Sequence, residues 1–158
     1  MRVMTQEEMD AAIRKCNWAT ICTVSPDGVP YAIEATPFHM NGCHCFMINP
    51  SGGTRKNVQH NSRVLLKYTL TSKNLDFWVG VSCHGVGAFI KDEASLREGW
   101  RLLGEVMGAD YSRAADSFAR CRERTPLFQV RVESVTGRCS AAKGHLWNYP
   151  LAANTAAY

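Results

Sequence analysis

No stretch of this 158-residue chain approaches the roughly 18 consecutive apolar residues needed to cross a bilayer. No block of like charge marks an arm for nucleic acid either, because the 18 basic residues are interspersed with 14 acidic ones. The first residues, Met1 to Glu8, turn acidic where a secretion signal would carry its apolar region, which predicts a cytoplasmic chain. Internal repeats and low-complexity segments are missing. So is an even cysteine framework: seven cysteines read as reduced thiols rather than staples. Staples are not needed, since a chain of about this length buries roughly 68–70% of its unfolded surface. What is present, 46% hydrophobic and 20% charged residues, suits one globular domain over residues 1–158. The net charge of +4 hints at an anionic ligand.

The chain divides by periodicity and punctuation. Thr5-Gln6-Glu7-Glu8 is a capping box, and Met9, Ala12, Ile13 and Cys16 follow at helical spacing, predicting a helix over 5–16. Trp18 to Val24 is β-rich. The turn Ser25-Pro26-Asp27-Gly28 leads into a strand from Val29 to Phe38, and Asn41-Gly42 turns that strand into Cys43 to Asn49. After Pro50-Ser51-Gly52-Gly53, Thr54 is placed to cap a short helix ending near His60, and Arg63 to Thr71 reads as a strand. A long strand from Leu75 to Lys91 follows, its glycines 80, 85 and 87 marking a bend, a bulge or a close approach. Asp92 and Gly108 bracket an amphipathic helix carrying Leu96, Trp100, Leu103, Val106 and Met107. A short helix over 111–121 precedes Thr125-Pro126. The strand Leu127 to Val135 then places Gln129, Arg131 and Glu133 on one face. Six strands in mostly hairpin order with three groups of helices predict an α+β, mainly β, antiparallel sheet able to curl into a small barrel. Residues 137–158 form an aperiodic tail that would be ordered by docking on a second subunit.

Few residues stand out chemically. Ser51-Gly52-Gly53-Thr54-Arg55-Lys56 joins glycines, a helix start, a hydroxyl and two cations, a combination that suits a terminal phosphate. The same string also reads as a flexible loop with two solvated bases. Cys43-His44-Cys45 and Cys83-His84 contain zinc-ligand types, but strand parity sends His44 away from its flanking cysteines and the usual paired spacing is absent, so no metal is expected. Parity puts Gly80, Ser82 and His84 on one face of the long strand, leaving His84 open to a ligand or to solvent. Trp18 and Trp100 lie in apolar patterns and are expected in the core. Trp147, in the tail, either covers a ligand or anchors the chain.

Taken together, Ala19 to Val24, Asp27-Gly28-Val29-Pro30-Tyr31, Phe46 to Pro50, Gly53 to Val58, Asn61 to Val64 and Val86 to Asp92 resemble the FMN-binding split barrels related to pyridoxamine 5'-phosphate oxidase. Within them the sequence is most similar to the nitroimidazole-resistance branch. The resemblance covers residues 5–138 and implies a six-stranded split barrel with peripheral helices that dimerises, with FMN bound at the subunit interface. By position it implies that Gly53, Thr54, Arg55 and Lys56 hold the FMN phosphate. Ile48, Asn49, Pro50 and Ser51 would run beside the flavin, and Ala35 and Thr36 would approach its ring system. Met47 stands where many proteins of that branch carry a histidine. The oxidases' C-terminal Trp and Arg signature is not recognisable, which argues against pyridoxamine phosphate as substrate; Trp147 is the nearest local substitute.

The function implied is a cytoplasmic flavoprotein oxidoreductase, passing electrons or hydride from reduced FMN to a small electrophile, with NAD(P)H as a donor. In such a protein the cofactor brings the chemistry and the chain brings binding and orientation. His84 is the candidate proton donor, because imidazole exchanges protons near neutrality. The competing reading is a non-catalytic module that carries flavin or haem in the same groove, with His39, His44, His84 and His145 as potential axial ligands.

Overall fold

In the computed structural model, which describes residues 1–74 and 76–140 apart from the Arg122 side chain, eight strands pair into one antiparallel sheet. They are β1 (Arg2–Val3), β2 (Ala19–Val24), β3 (Pro30–Ala35), β4 (Phe38–Met40), β5 (Cys43–Met47), β6 (Arg63–Thr71), β7 (Trp78–Phe89) and β8 (Leu127–Cys139). Four helices surround them: α1 (Gln6–Lys15), α2 (Gly53–His60), α3 (Glu93–Met107) and α4 (Ser112–Ala119), with a 3₁₀ turn at Arg122–Arg124. The sheet runs β3-β2-β6-β7-β8-β5-β4, and β1 pairs with β8. Its two edge strands, β3 and β4, are consecutive in the chain and joined only by Thr36 and Pro37. So short a connection forces the sheet to curl until its edges approach one another. The result is the mainly β split barrel with peripheral helices.

Two features raise the strand count above the expected six. Thr36-Pro37 divides the predicted Val29 to Phe38 strand, because proline offers no N–H to a ladder. β3 then pairs with β2, and β4 pairs with β5. The two-residue β1 adds itself to the far end of β8.

Local chemistry fixes the ends of the elements. At α1 the Thr5 hydroxyl accepts from the Glu8 N–H at 3.3 Å while Glu8 accepts from the Thr5 N–H at 2.9 Å. Arg2 grips the same Glu8 carboxylate at 2.7 and 2.8 Å. α3 begins on Asp92, which accepts from the Ser95 N–H at 2.8 Å, and stops at Gly108 in a left-handed conformation.

Alternation along the strands builds two packed layers. Ile21, Phe46, Leu66, Tyr68, Val79, Val81, Phe128 and Val130 fill the barrel, sealed at one end by Met9, Ala12 and Ile13 of α1. Phe38, Met40, Cys45, Leu96, Leu103 and Leu127 form a second cluster under α3. β5 is therefore packed on both faces, and its odd and even positions serve different cores. The barrel also encloses a polar pair, with His44 Nδ1 at 2.6 Å from the Tyr68 hydroxyl.

Trp18 is not in the core; it is 39% exposed. It shares parity with Thr20, Cys22 and Val24, whereas Ala19, Ile21 and Thr23 take the inward positions. Trp100 does pack, beside Tyr111 and Phe118 with ring centres 5.5 and 5.9 Å away. β8 extends four residues past the predicted end at Val135. The Gly85–Val132 and His84–Ser134 pairings leave Glu133 as an extra residue, a bulge that resets the alternation. Val130 and Val132 point inward before it, and Gly137 and Cys139 after it. Gly85 answers the bulge, since a Cβ there would lie 2.3 Å from the Arg131 carbonyl oxygen. Residues 137–139 thus belong to β8, the Ser140 hydroxyl accepts from the Trp78 N–H at 2.8 Å, and residues 141–158, including Trp147, lie outside the described residues.

Candidate functional site

β5 ends at Met47, and the segment 48–52 carries the chain into α2. Asn49 folds this segment back on itself. Its side-chain oxygen accepts from the Ser51 N–H at 2.9 Å, and its carbonyl accepts from the Gly52 N–H at 3.2 Å. Gly52, not Thr54, occupies the cap position, and it has no side chain to offer. Thr54 sits within the first turn and is 3% exposed. An uncapped start leaves backbone N–H groups open at the positive end of the helix, and no acidic residue in the first turn neutralises it. Gly53 is bare for a steric reason, because a Cβ there would come within 3.0 Å of the Tyr31 ring of β3. Asn57 donates to the Thr23 hydroxyl at 3.0 Å and so pins α2 against β2.

The two cations that follow behave differently. Lys56 is exposed. Arg55 turns inward: its guanidinium lies 3.9 Å above the Phe89 ring, and Nη2 donates to the Thr125 carbonyl at 2.5 Å. Its Nε is buried without a hydrogen-bond partner. Burial lowers its pKa from the ordinary arginine value, and Glu123 opposes that effect. A third cation joins them from far along the chain, with Arg124 Nη2 donating to the Ser51 hydroxyl at 3.2 Å. Open N–H groups, a hydroxyl and three cations form a donor set suited to a phosphate monoester.

Next to this helix start lies a cleft of about 470 Å³ at the seam of the barrel. Ala35 and Thr36 line it from the end of β3, and Ile48 and Asn49 from beyond β5. These four therefore line one cleft. Leu103, Met107 and Tyr111 supply an apolar wall from α3 and the segment after it, which the sequence reading had not assigned. Asn49 is the link, lining the cleft while shaping the loop that starts α2. Pro50 is half-buried and Ser51 exposed in that same loop.

His84 lies elsewhere. It is exposed on the outer face of β7 and lines a separate cleft of about 480 Å³ with Cys22, Val24, Arg63 and Leu65. Strand parity accounts for this, since Gly80, Ser82 and His84 face away from the barrel interior. Among the described residues no three His, Cys, Asp or Glu side chains are grouped to hold a metal ion. Cys45 packs beneath α3 while His44 faces Tyr68, so neighbouring positions point into different cores.

Tyr31 and Arg124 are not marked as site residues by the sequence. Tyr31 stands in the Asp27 to Tyr31 string that carries the resemblance, and its contact with Gly53 is made only in the fold. Arg124 lies 73 residues from its partner Ser51, and only the β5–β8 pairing brings the two together.

A split barrel whose seam cleft adjoins an uncapped helix start defines the class of protein. Residues 5–139 match the pyridoxamine 5'-phosphate oxidase family, and the chain belongs to that family. The fold is similar to that of a Bacteroides thetaiotaomicron protein described as a 5-nitroimidazole antibiotic resistance protein, with 17% identity, TM-score 0.72, and coverage of 87% of this chain and 86% of that one. A FAD-binding protein of Mesorhizobium loti aligns over 89% of this chain and 98% of its own, at 16% identity and TM-score 0.69. The haem storage protein of Vibrio cholerae aligns over 82% and 92% at 14% identity and TM-score 0.63. No curated protein matches the chain.

Proposed function

We propose that the seam cleft and the start of α2 bind one FMN, and that the protein is a cytoplasmic oxidoreductase reducing a small electrophile such as a nitroaromatic or quinone. The carrying observation is the continuity through Asn49 between the cleft and the uncapped, cation-flanked helix start. That arrangement has room for a flat ring system and, one loop away, donors for its phosphate. Bound there, the flavin would take two electrons from NADH or NADPH and give them to the acceptor. The chain's own part is to hold the phosphate, to orient the ring between Ala35-Thr36 and Ile48-Asn49, and to keep water away with Leu103 and Met107.

A homodimer belongs to this proposal. β3 has a strand neighbour on one side only and is exposed or half-exposed along its length, with Tyr31 38% and Val29, just before it, 55% exposed. A second copy laid on this face would cover the edge and bring partner side chains over the cleft. His84, on the outer face, reaches a flavin only across such an interface. No helix among the described residues is long and apolar enough to cross a membrane.

A visible spectrum of the purified protein, followed by mass identification of whatever denaturation releases, tests the proposal. Flavin bands and released FMN support it, and bleaching by NADH or NADPH with reoxidation by an added nitroaromatic supports turnover. A haem Soret band, or a protein that cannot be loaded with FMN, defeats it. Haem has less to recommend it here, because none of the residues lining the seam cleft is a histidine.

A further inference from the structure

We infer that the groove between α3 and α4 is a second small-molecule site, separate from the seam cleft, and that its occupant is a neutral aromatic molecule carrying a carbonyl- or nitro-type oxygen. The groove encloses about 650 Å³ against about 470 Å³ at the seam, and nothing in the flavin reading uses it. The two spaces meet at one residue, since Tyr111 lines both.

The lining suits a flat ring. Trp100 and Tyr111 supply aromatic walls with ring centres 5.5 Å apart, and Gly104, Gly108, Ala109 and Ala115 offer backbone and methyl groups in place of bulk. Gly104 is required there, because a Cβ on it would lie 2.6 Å from the Ala109 carbonyl oxygen. An apolar hollow with few polar groups is the usual make-up of a small-molecule pocket. The polar group here is Trp100 Nε1, which is enclosed and has no hydrogen-bond partner. An indole nitrogen only donates, and a buried donor left unpaired is costly, so an oxygen acceptor is what this wall lacks. A ligand reaches the nitrogen by a shift of the neighbouring Tyr111 ring, which is half-buried.

The charged residues around the groove are committed to one another. Arg97 is held by Glu93 at 3.1 Å and Asp116 at 2.6 Å, and Arg101 by Glu98 at 2.7 Å and by Glu105. Asp110 accepts from the Ser112 N–H at 2.8 Å and from its hydroxyl at 3.2 Å. Both arginines already hold two carboxylates, so an anion finds no cation to pair with, and a cation would face a donor at Trp100. A neutral acceptor meets both conditions. Its position across Tyr111 from the seam cleft makes the groove a holding site for the electrophile, and that last step alone rests on the flavin reading.

Heteronuclear magnetic resonance spectra of isotopically labelled, flavin-free protein test the site through the indole N–H signals of its four tryptophans, with Trp100→Phe identifying the one from Trp100. Acetophenone, whose ring carries a carbonyl, should move that signal and bind roughly three- to tenfold more tightly than ethylbenzene, a molecule of similar shape without the oxygen. Trp100→Phe should abolish the preference. Ser112→Phe, which fills the groove from an exposed lining position and leaves the core untouched, should weaken acetophenone by roughly tenfold or more. The inference is overturned if acetophenone leaves the Trp100 signal unmoved, if the preference survives Trp100→Phe, or if Ser112→Phe binds as the wild type does. Benzoate or benzylamine binding more tightly than acetophenone overturns the neutral class. A protein that passes these tests but cannot be loaded with FMN keeps the groove and loses the flavin reading, and one that holds FMN but fails them does the reverse.

Discussion

The closed side of the barrel and its seam are built to different rules. On the closed side, β7 lies between β6 and β8, and Val79, Val81 and Cys83 are fully buried. At the seam, β3 has one neighbour, α2 starts without a cap, and a buried arginine nitrogen lacks a partner. The closed side satisfies its groups internally, while the seam keeps donors and apolar surface for something that is not part of the chain. Stability and binding are therefore separable, and substitutions should sort by region.

The largest effect is expected where backbone approaches backbone on the closed side. Gly85→Ala would force a methyl group against the Arg131 carbonyl at the β8 bulge, costing about 3 kcal/mol, read as a lower urea midpoint with FMN affinity per folded molecule retained. A Gly85→Ala protein with a wild-type midpoint would show that the bulge yields freely.

Acid should expose the same side next. Burial pushes the His44 imidazole down to about 4, helped by the charge of His39 and opposed by Asp10. A histidine near its usual 6.5 when unfolded binds its proton before the folded one does. Its contribution is therefore complete above that value and fades as pH falls from about 6.5 toward about 4, by about 3 kcal/mol. Urea titrations at pH 7 and pH 4.5 should show this loss, and His44→Gln should flatten it; an undiminished pH slope in that variant would assign acid sensitivity elsewhere.

At the seam, Tyr31→Glu should leave the urea midpoint of the isolated chain within about 0.5 kcal/mol yet shift the sedimentation profile from dimer to monomer. A dimer that survives the charge would move the interface away from β3. The smallest effect is local: Gly53→Ala should cost under about 1 kcal/mol, because the half-exposed Tyr31 ring can shift away. Tyr31→Ala in the same chain should erase even that, a coupling measurable by a double-mutant cycle.

Much of the closed side was legible in the sequence. The capping box at Thr5, the strand from Arg63 to Thr71 and the helix between Asp92 and Gly108 stand where periodicity and punctuation put them, because their signals are local. The failures share a cause. Trp18 shows the same apolar character on either face, and only pairing decides which face is inward. The β8 bulge depends on Gly85 of another strand. At the seam, the glycine and cation string marked the helix start and the resemblance grouped Ala35, Thr36, Ile48 and Asn49. Neither showed that Arg55 turns inward or that Arg124 arrives from the far end of the chain, because both facts belong to the β5–β8 pairing.

That last strand also dictates when the barrel can close. β8 pairs with β7 along its length, with β5 at its start and with β1 at its end, so the first residues of the chain hydrogen-bond to the last strand. On the ribosome, β2, β3, β6 and β7 emerge with an unpaired edge and wait for residues 127–139. Contacts of such long sequence separation form slowly. The nascent chain spends that interval as an open sheet whose β7 edge stays unpaired until β8 arrives.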